Sequence, residues 1–185
     1  MLVDMDERME FFVPGVPKTA GSKVSGVAHR RDPATGQQVP VRHADGRLKT
    51  FTKDDTGDAG IAWRADIRAA AREAMTGAPM EGALGVTITF VMPRNKGHFG
   101  SGRNAAVLKP TAPRWHTVRP DIDKLSRAVL DALKGIAWLD DSQVVQKHVT
   151  KRYADAHEPP GAQVWIEPPE EARLSRQLAL TGESA

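Results

Sequence analysis

The apolar residues of this chain repeat with two different spacings, one typical of strands and one typical of helices. In residues 84–92 (LGVTITFVM) every second residue is large and apolar, which predicts a half-buried strand. Shorter apolar runs at 10–16, 143–153 and 161–167 predict three more strands.

Two segments carry the 3.6-residue period of an amphipathic helix. The first begins near Asp58, a candidate N-cap, and ends at Gly77. Its apolar face consists of Trp63, Ile67, Ala70, Ala71 and Ala74. The second covers about 121–134 and ends at Gly135, and its apolar face consists of Ile122, Leu125, Val129 and Leu133. Strands mixed with two helices predict an α/β or α+β layer fold.

Two long segments lack either period. Residues 17–50 are rich in Gly, Pro, Lys and Arg, and turn signals on both sides of QQVPVRH predict an exposed hairpin. Residues 93–120 have no periodicity and no acidic residue, and a structureless loop of that length is usually functional or disordered. We expect a single domain over residues 1–167 with basic loops at about 17–50 and 93–119, followed by an acidic tail, 168–185.

Composition limits the possible chemistry. The 185 residues include no Cys, which excludes disulfides, zinc ribbons and thiol nucleophiles. No 18-residue apolar run is present and the N-terminus is acidic, so we expect neither a membrane span nor a signal peptide, and a cytoplasmic protein.

The formal net charge of +3 hides a strong segregation of charge. Residues 18–53 contain eight Lys and Arg against two acids, and residues 82–120 contain six against none. Such basic stretches are typical of proteins that bind a polyanion, although solvated loops would have the same composition.

Two pairs of carboxylates stand out in residues 119–142. Asp121 and Asp123 lie at the start of the second helix, and Asp140 and Asp141 precede a strand. A helix N-terminus favours anions, which explains the first pair without catalysis. Gathered at one end of the sheet, however, three or four carboxylates suit an oxygen-ligated cation such as Mg²⁺, and basic loops beside it suit phosphate chemistry.

Residues 119–153, RPDIDKLSRAVLDALKGIAWLDDSQVVQKHVTKRY, resemble the signature of the RusA-type Holliday junction resolvases of bacteria and phages. The resemblance implies a homodimer with a small mixed sheet and two main helices packed on it. It implies an endodeoxyribonuclease of recombination and repair that hydrolyses four-way DNA junctions with Mg²⁺, or with Mn²⁺ as a substitute. By position, Asp121, Asp123 and Asp141 are the implied catalytic and metal-binding residues, and Asp140 is a flanking carboxylate of the metal site.

This chain departs from the family pattern at two positions. Lys124 stands where the family commonly has Asn, and Arg127 stands where some members have a functional Lys. Either cation is a candidate for the position beside the cleaved phosphate. Arg127 is also spaced for an ion pair on the helix surface with Asp131.

The basic loops supply the candidate DNA-binding residues, since Lys and Arg bind phosphates independently of sequence. They are Lys18, Lys23, Arg30, Arg31, Arg94, Lys96, Arg103, Arg114 and Arg119, with Arg42 and Arg47 also available. Trp115 and Phe99 are candidates to stack on unpaired bases, or else to pack within the loop. One other function remains open, a branched-DNA-binding module without catalysis. A nucleotide-sugar transferase also uses a DxD, but the 185 residues include no nucleotide-binding half and no Gly-rich phosphate turn, which disfavours it.

Overall fold

A computed structural model describes residues 8–21, 23–54 and 56–169 of the chain. The strands are β1 (Met9–Pro14), β2 (Lys23–Val27), β3 (His29–Arg31), β4 (Gln38–Pro40), β5 (Thr50–Asp54), β6 (Leu84–Met92), β7 (Val144–Tyr153) and β8 (Gly161–Glu167). The two α-helices are α1 (Gly57–Ala74) and α2 (Ile122–Leu133). Three short 3₁₀ turns cover Lys96–His98, Gly102–Asn104 and Asp141–Gln143.

Four of these strands form a mixed sheet in the order β1-β8-β6-β7. β8 is antiparallel to both β1 and β6, whereas β6 and β7 are parallel. Parallel neighbours need a crossover connection, and here α2 lies in it. The mixed sheet and the two helices confirm the fold that the resemblance implied.

The core lies between this sheet and the two helices. α1 contacts β1 and α2 contacts β7, and the helices also contact each other. The predicted apolar faces are buried: Trp63, Ile67 and Ala71 on α1, and Leu125, Val129 and Leu133 on α2. Because α2 is held along this face, its two ends have fixed positions over β7.

Three details differ from the expectations. The N-cap of α1 is Thr56, and Asp58 lies in the first turn, where its charge still favours the helix N-terminus. β6 is more than half-buried, because it is a central strand and Val91 on its second face is also covered. Residues 93–120 are not structureless, since they contain two 3₁₀ turns and the isolated bridge Phe99–Leu108.

The first basic loop forms two small ribbons beside the main sheet. β3 and β4 make the predicted hairpin, and β2 pairs with β5. The side chain of Lys23 and the tail from residue 170 onward, including the helix expected around Leu174 and Leu178, lie outside the described residues. Within the described ranges, no helix has the length and apolarity to cross a bilayer.

A pair of matched substitutions tests the position of the core. Ile88 on β6 is 0% exposed and Ile61 on α1 is 57% exposed. We expect Ile88→Ala to lower the free energy of unfolding by about 2–5 kcal/mol, because it leaves a cavity. Ile61→Ala is the control and should change it by less than about 0.5 kcal/mol. Urea denaturation checks both, and equal effects would contradict the described packing.

A bidentate ion pair closes the turn between β7 and β8. Arg152 donates from both terminal nitrogens to the carboxylate of Glu158, with two distances of 2.6 Å. These hydrogen bonds hold the pKa of Glu158 below its usual value of 4.5. A lowered carboxyl pKa stabilises the fold above the unfolded-state pKa, and this stabilisation is lost as the pH falls through the folded-state pKa.

We therefore expect Glu158→Gln to be destabilising at neutral pH and nearly neutral in acid. At about pH 7 the loss should be about 1–3 kcal/mol, typical of hydrogen bonds to charged groups. The gap from the unsubstituted protein should narrow as the pH falls below 4.5. Urea denaturation across this range measures it. Asp45→Asn, which removes an exposed ion pair with Arg47, is the control and should have little effect at any pH.

Candidate active site

Asp121 and Asp123 lie together at the N-terminus of α2. Asp121 is the N-cap with extended backbone, and its carbonyl accepts the amide of Leu125 at 3.1 Å. Its carboxylate makes no capping hydrogen bond, although an Asp at this position usually does so. Asp123 lies in the first turn, and both side chains are exposed. The carboxylate of Asp121 is therefore not used to cap the helix by a hydrogen bond.

Both carboxylates line one open cleft of about 660 Å³. One wall is formed by the end of the second basic loop, and the other by the last residues of β7. The lining comprises Trp115, His116, Thr117, Val118, Arg119, Asp121, Ile122, Asp123, Val149, Thr150 and Lys151. The cleft thus combines two acids with two cations, which is suited to a metal ion and a phosphate together.

Lys151 on β7 orders the segment that leads into the cleft. Its ammonium donates to the carbonyl of Val118 at 2.8 Å and to that of Pro120 at 2.6 Å. These two bonds fix the backbone just before Asp121. Lys151 is not among the residues predicted from the sequence. Residues two apart in a strand lie on the same face. Val149 packs against the core, so its spacing of two from Lys151 indicates that Lys151 lies on the face of β7 that is turned toward α2.

The second acidic pair lies at the other end of α2. The indole N–H of Trp138 donates to Asp141 at 3.0 Å, and the ammonium of Lys134, which follows α2, is 3.9 Å from the same carboxylate. Asp141 remains exposed, so these contacts orient its carboxylate without enclosing it.

Asp140 has a structural role in this arrangement. It caps the short turn Asp141–Gln143 through a capping box: its carboxylate accepts the amide of Ser142, and the side chain of Gln143 accepts the amide of Asp140. Lys134 donates to its second oxygen at 2.8 Å, which lowers the pKa of Asp140, and the bonds from Ser142 lower it further. The Asp-x-x-Gln spacing is a readable signal for this cap.

The expectation that three or four carboxylates gather at one end of the sheet is wrong for a single chain, within the residues that the structure describes. The first pair lies at the N-terminus of α2 and the second lies beyond its C-terminus, and a helix of twelve residues spans about 18 Å. Among residues 8–21, 23–54 and 56–169, no three His, Asp or Glu side chains are grouped closely enough to hold a metal ion. The physical reason is that α2 connects the two pairs and β7 returns along it.

The two cations of α2 have different surroundings. Arg127 donates to the carbonyl of Gly21 at 2.9 Å and lies 4.0 Å from the carboxylate of Asp131, as its spacing predicted. The carbonyl of Lys124 accepts the amide of Ala20 at 3.0 Å. These contacts fix the start of the first basic loop against the N-terminal half of α2.

Of the predicted DNA-binding residues, Arg94 is the one most engaged within the fold. It donates to the carbonyls of Ala154 and Pro113, and its guanidinium lies 5.4 Å from the centre of the Tyr153 ring. Arg94 therefore tethers the second basic loop to the sheet. Those with exposed side chains are Lys18, Arg30, Arg31, Lys96, Arg103, Arg114 and Arg119.

The aromatic candidates differ in exposure. Phe99 is half-buried in its bridge to Leu108, whereas Trp115 is 52% exposed. His116 is buried against Tyr153, and burial, with the charge of Lys151, lowers its pKa. His116 is therefore a packing residue of the cleft wall.

Comparison with known proteins supports the interpretation of these motifs. A search of the curated proteins found no match. The family model described as endodeoxyribonuclease RusA matches residues 32–167. This range is more than half of the chain and includes both acidic pairs, α2 and β6–β8. The chain therefore belongs to the RusA endodeoxyribonuclease family, the Holliday junction resolvases.

Proposed function

We propose that this protein hydrolyses one phosphodiester in each of two opposed strands of a four-way DNA junction, with Mg²⁺ bound by Asp121 and Asp123. The observation that carries the proposal is the carboxylate of Asp121. It stands at a capping position, makes no capping bond, and lines the same cleft as Asp123 between Arg119 and Lys151. A cap that served only the helix would be bonded as Asp140 is.

The donor chemistry of the cleft fits Mg²⁺. This ion is commonly held by one or two carboxylates, with waters and substrate phosphates completing its shell, and Mn²⁺ accepts the same oxygen ligands. When bound, the metal stabilises charge on the phosphate and lowers the pKa of a coordinated water. Asp121 and Asp123 hold the ion, Lys151 keeps the approach to Asp121 fixed, and Arg119 neutralises the phosphate. The products are 5′-phosphate and 3′-hydroxyl ends.

The third carboxylate requires a second copy of the chain. Mg²⁺–oxygen bonds are about 2.0–2.1 Å long, whereas Asp121 lies at the N-terminus of α2 and Asp141 lies beyond its C-terminus in the same chain. An Asp141 that completes the site therefore comes from another copy. This supports a homodimer in which each active site takes Asp121 and Asp123 from one copy and Asp141 from the other.

The outer edge of β7 is the surface where we place the second copy. β7 ends the main sheet, and its residues 145–148 are exposed. Leu139 and Val145, both more than 60% exposed, lie next to Asp141 in sequence. Residues 114–116 cover the outer edge of β7 near Arg152, so the pairing we propose uses residues 145–148. An antiparallel approach of two β7 edges there brings the Asp141 end of each copy to the Asp121 end of the other. It also covers a strand edge that otherwise invites nonspecific pairing.

DNA affinity in this proposal comes from the exposed cations of the two basic loops, because phosphate neutralisation is independent of sequence. The first loop begins against α2 through the contacts of Arg127 and Lys124. The second ends at the cleft with Arg114 and Arg119. Binding and cleavage are therefore separable, and Asp123→Asn should still bind a junction.

The first test is cleavage of a synthetic four-way junction with Mg²⁺, with Mn²⁺ and with EDTA. We expect Asp121→Asn, Asp123→Asn and Asp141→Asn each to lower the cleavage rate by about 100-fold or more, since each removes a metal ligand. The controls are Asp131→Asn and Asp140→Asn, which should keep most of the activity. Asp131→Asn removes only an exposed ion pair with Arg127, and Asn at 140 still caps the turn.

Unchanged cleavage by Asp123→Asn would contradict the assignment of the metal site. Binding without cleavage in either metal would instead support the module that only binds branched DNA. The same assay with EDTA separates metal-dependent hydrolysis from contaminating activity.

Mixing two inactive variants tests the shared site. Homodimers of Asp123→Asn and of Asp141→Asn should each be inactive. Their heterodimer contains one site with both changes and one site with all three carboxylates. We therefore expect the mixture to nick one strand of the junction, once native mass spectrometry shows that heterodimers have formed. No nicking by a mixture that contains heterodimers would mean that each chain builds its site alone.

A further inference from the structure

The wall of the cleft opposite α2 is a short piece of the second basic loop added to the sheet. Trp115 forms an antiparallel bridge with Arg152. On either side of it, the amide of Tyr153 donates to the carbonyl of Arg114 at 2.9 Å, and the amide of His116 donates to the carbonyl of Lys151 at 3.4 Å. The carbonyl of Pro113 is held by Arg94. The backbone that carries Trp115 is therefore fixed at the end of β7.

The side chain of Trp115 is exposed although its backbone is held. It lines the cleft that contains Asp121 and Asp123, and it is 52% exposed. The guanidinium of Arg114 lies 5.1 Å from the centre of its ring, a cation–π contact that keeps the ring in a defined orientation. A large aromatic ring that is held in this way beside two acids is an ordered surface on which a base can stack.

The size and chemistry of the cleft suit one nucleotide. Small-ligand sites usually have volumes of about 300–1,000 Å³, and this cleft has about 660 Å³. It offers an aromatic ring for a base, Arg119 for a phosphate, and the hydroxyl group of Thr117 for a hydrogen bond. A base inside a duplex is already stacked on both faces, so the ring is available only to a base that has left its stack.

From these contacts we infer that the cleft binds one unpaired nucleotide next to the cleaved phosphate, with its base stacked on Trp115. The inference rests on the proposed function and adds how that site selects its substrate. Bases at a branch point unstack at lower cost than bases in a continuous duplex. Trp115 thus favours junctions over duplexes at the step in which the phosphate reaches Asp121 and Asp123.

The experiment compares Trp115→Ala with Trp115→Phe on a four-way junction and on a linear duplex. Loss of stacking on one base weakens binding by roughly 5- to 150-fold, so we expect Trp115→Ala to lower kcat/KM on junctions by at least about tenfold. Trp115→Phe keeps a ring and should retain most of the activity. Duplex binding should be unchanged in both variants. Val107→Ala is the control and should leave kcat/KM unchanged, because Val107 is an exposed apolar residue of the same loop that has no ring and does not line the cleft.

A photo-crosslinking measurement reports the contact directly. Junctions with 5-iodouracil placed at single positions around the cut are irradiated in complex with the unsubstituted protein in Ca²⁺, and the crosslinked residue is identified by mass spectrometry. We expect a crosslink to Trp115 from a nucleotide adjacent to the cut and from no position in a duplex.

Three outcomes would overturn the inference: unchanged kcat/KM for Trp115→Ala, equal losses of junction and duplex binding, or crosslinks that map to other residues. These failures are distinct from failure of the proposed function. If the unsubstituted protein cleaves no branched DNA, the proposed function fails. If it cleaves and Trp115→Ala cleaves equally well, only the stacking site fails.

Discussion

The packing of α2 against β7 is the interaction on which the rest of this structure depends. Leu125, Val129 and Leu133 are all 0% exposed, so the helix cannot shift along the strand without opening the core. A core packed this closely has no free volume into which the helix could move. The acidic residues at the two ends of α2 are therefore held at a fixed separation, and that separation decides what one chain can do alone.

The charges of the molecule are arranged around the same helix. Its N-terminus carries Asp121 and Asp123 between cationic cleft walls, and its C-terminus leads to Lys134, which pairs with Asp140. The first acidic pair is left exposed beside cations, and the second is partly neutralised by hydrogen bonds. The two acidic pairs thus differ in their surroundings, because one pair is bonded within the fold and the other faces a cleft.

Much of this could be predicted from the sequence because it depends on local spacing. The extent of α2, its cap at Asp121 and its end at Gly135 follow from a 3.6-residue period and from turn chemistry. The direction of β7 relative to α2 does not follow from any local pattern, and the gathering of carboxylates was mispredicted for that reason. The length of the helix alone argues against this gathering, since the two ends of a twelve-residue helix cannot meet.

The residues that shape the cleft were harder to predict. Lys151 acts through two backbone carbonyls, and Trp115 is placed by a bridge of one residue. The spacing of two from Val149 marks only the face of β7 on which Lys151 lies, and no period or motif marks the bridge of Trp115. Single contacts between a loop and a strand become visible only when the fold has brought the two segments together.

The tether made by Arg94 has a consequence for how this family member can vary. One side chain holds both the start of the second basic loop, through Ala154, and its end, through Pro113. The residues between these two contacts form a loop whose ends are held together by Arg94. The length and composition of this loop can therefore change without moving the cleft wall. Insertions, deletions and new charges can accumulate there while Trp115 and Asp121 keep their positions. If the proposed function holds, the DNA-binding surface can therefore change while the metal-binding residues keep their positions.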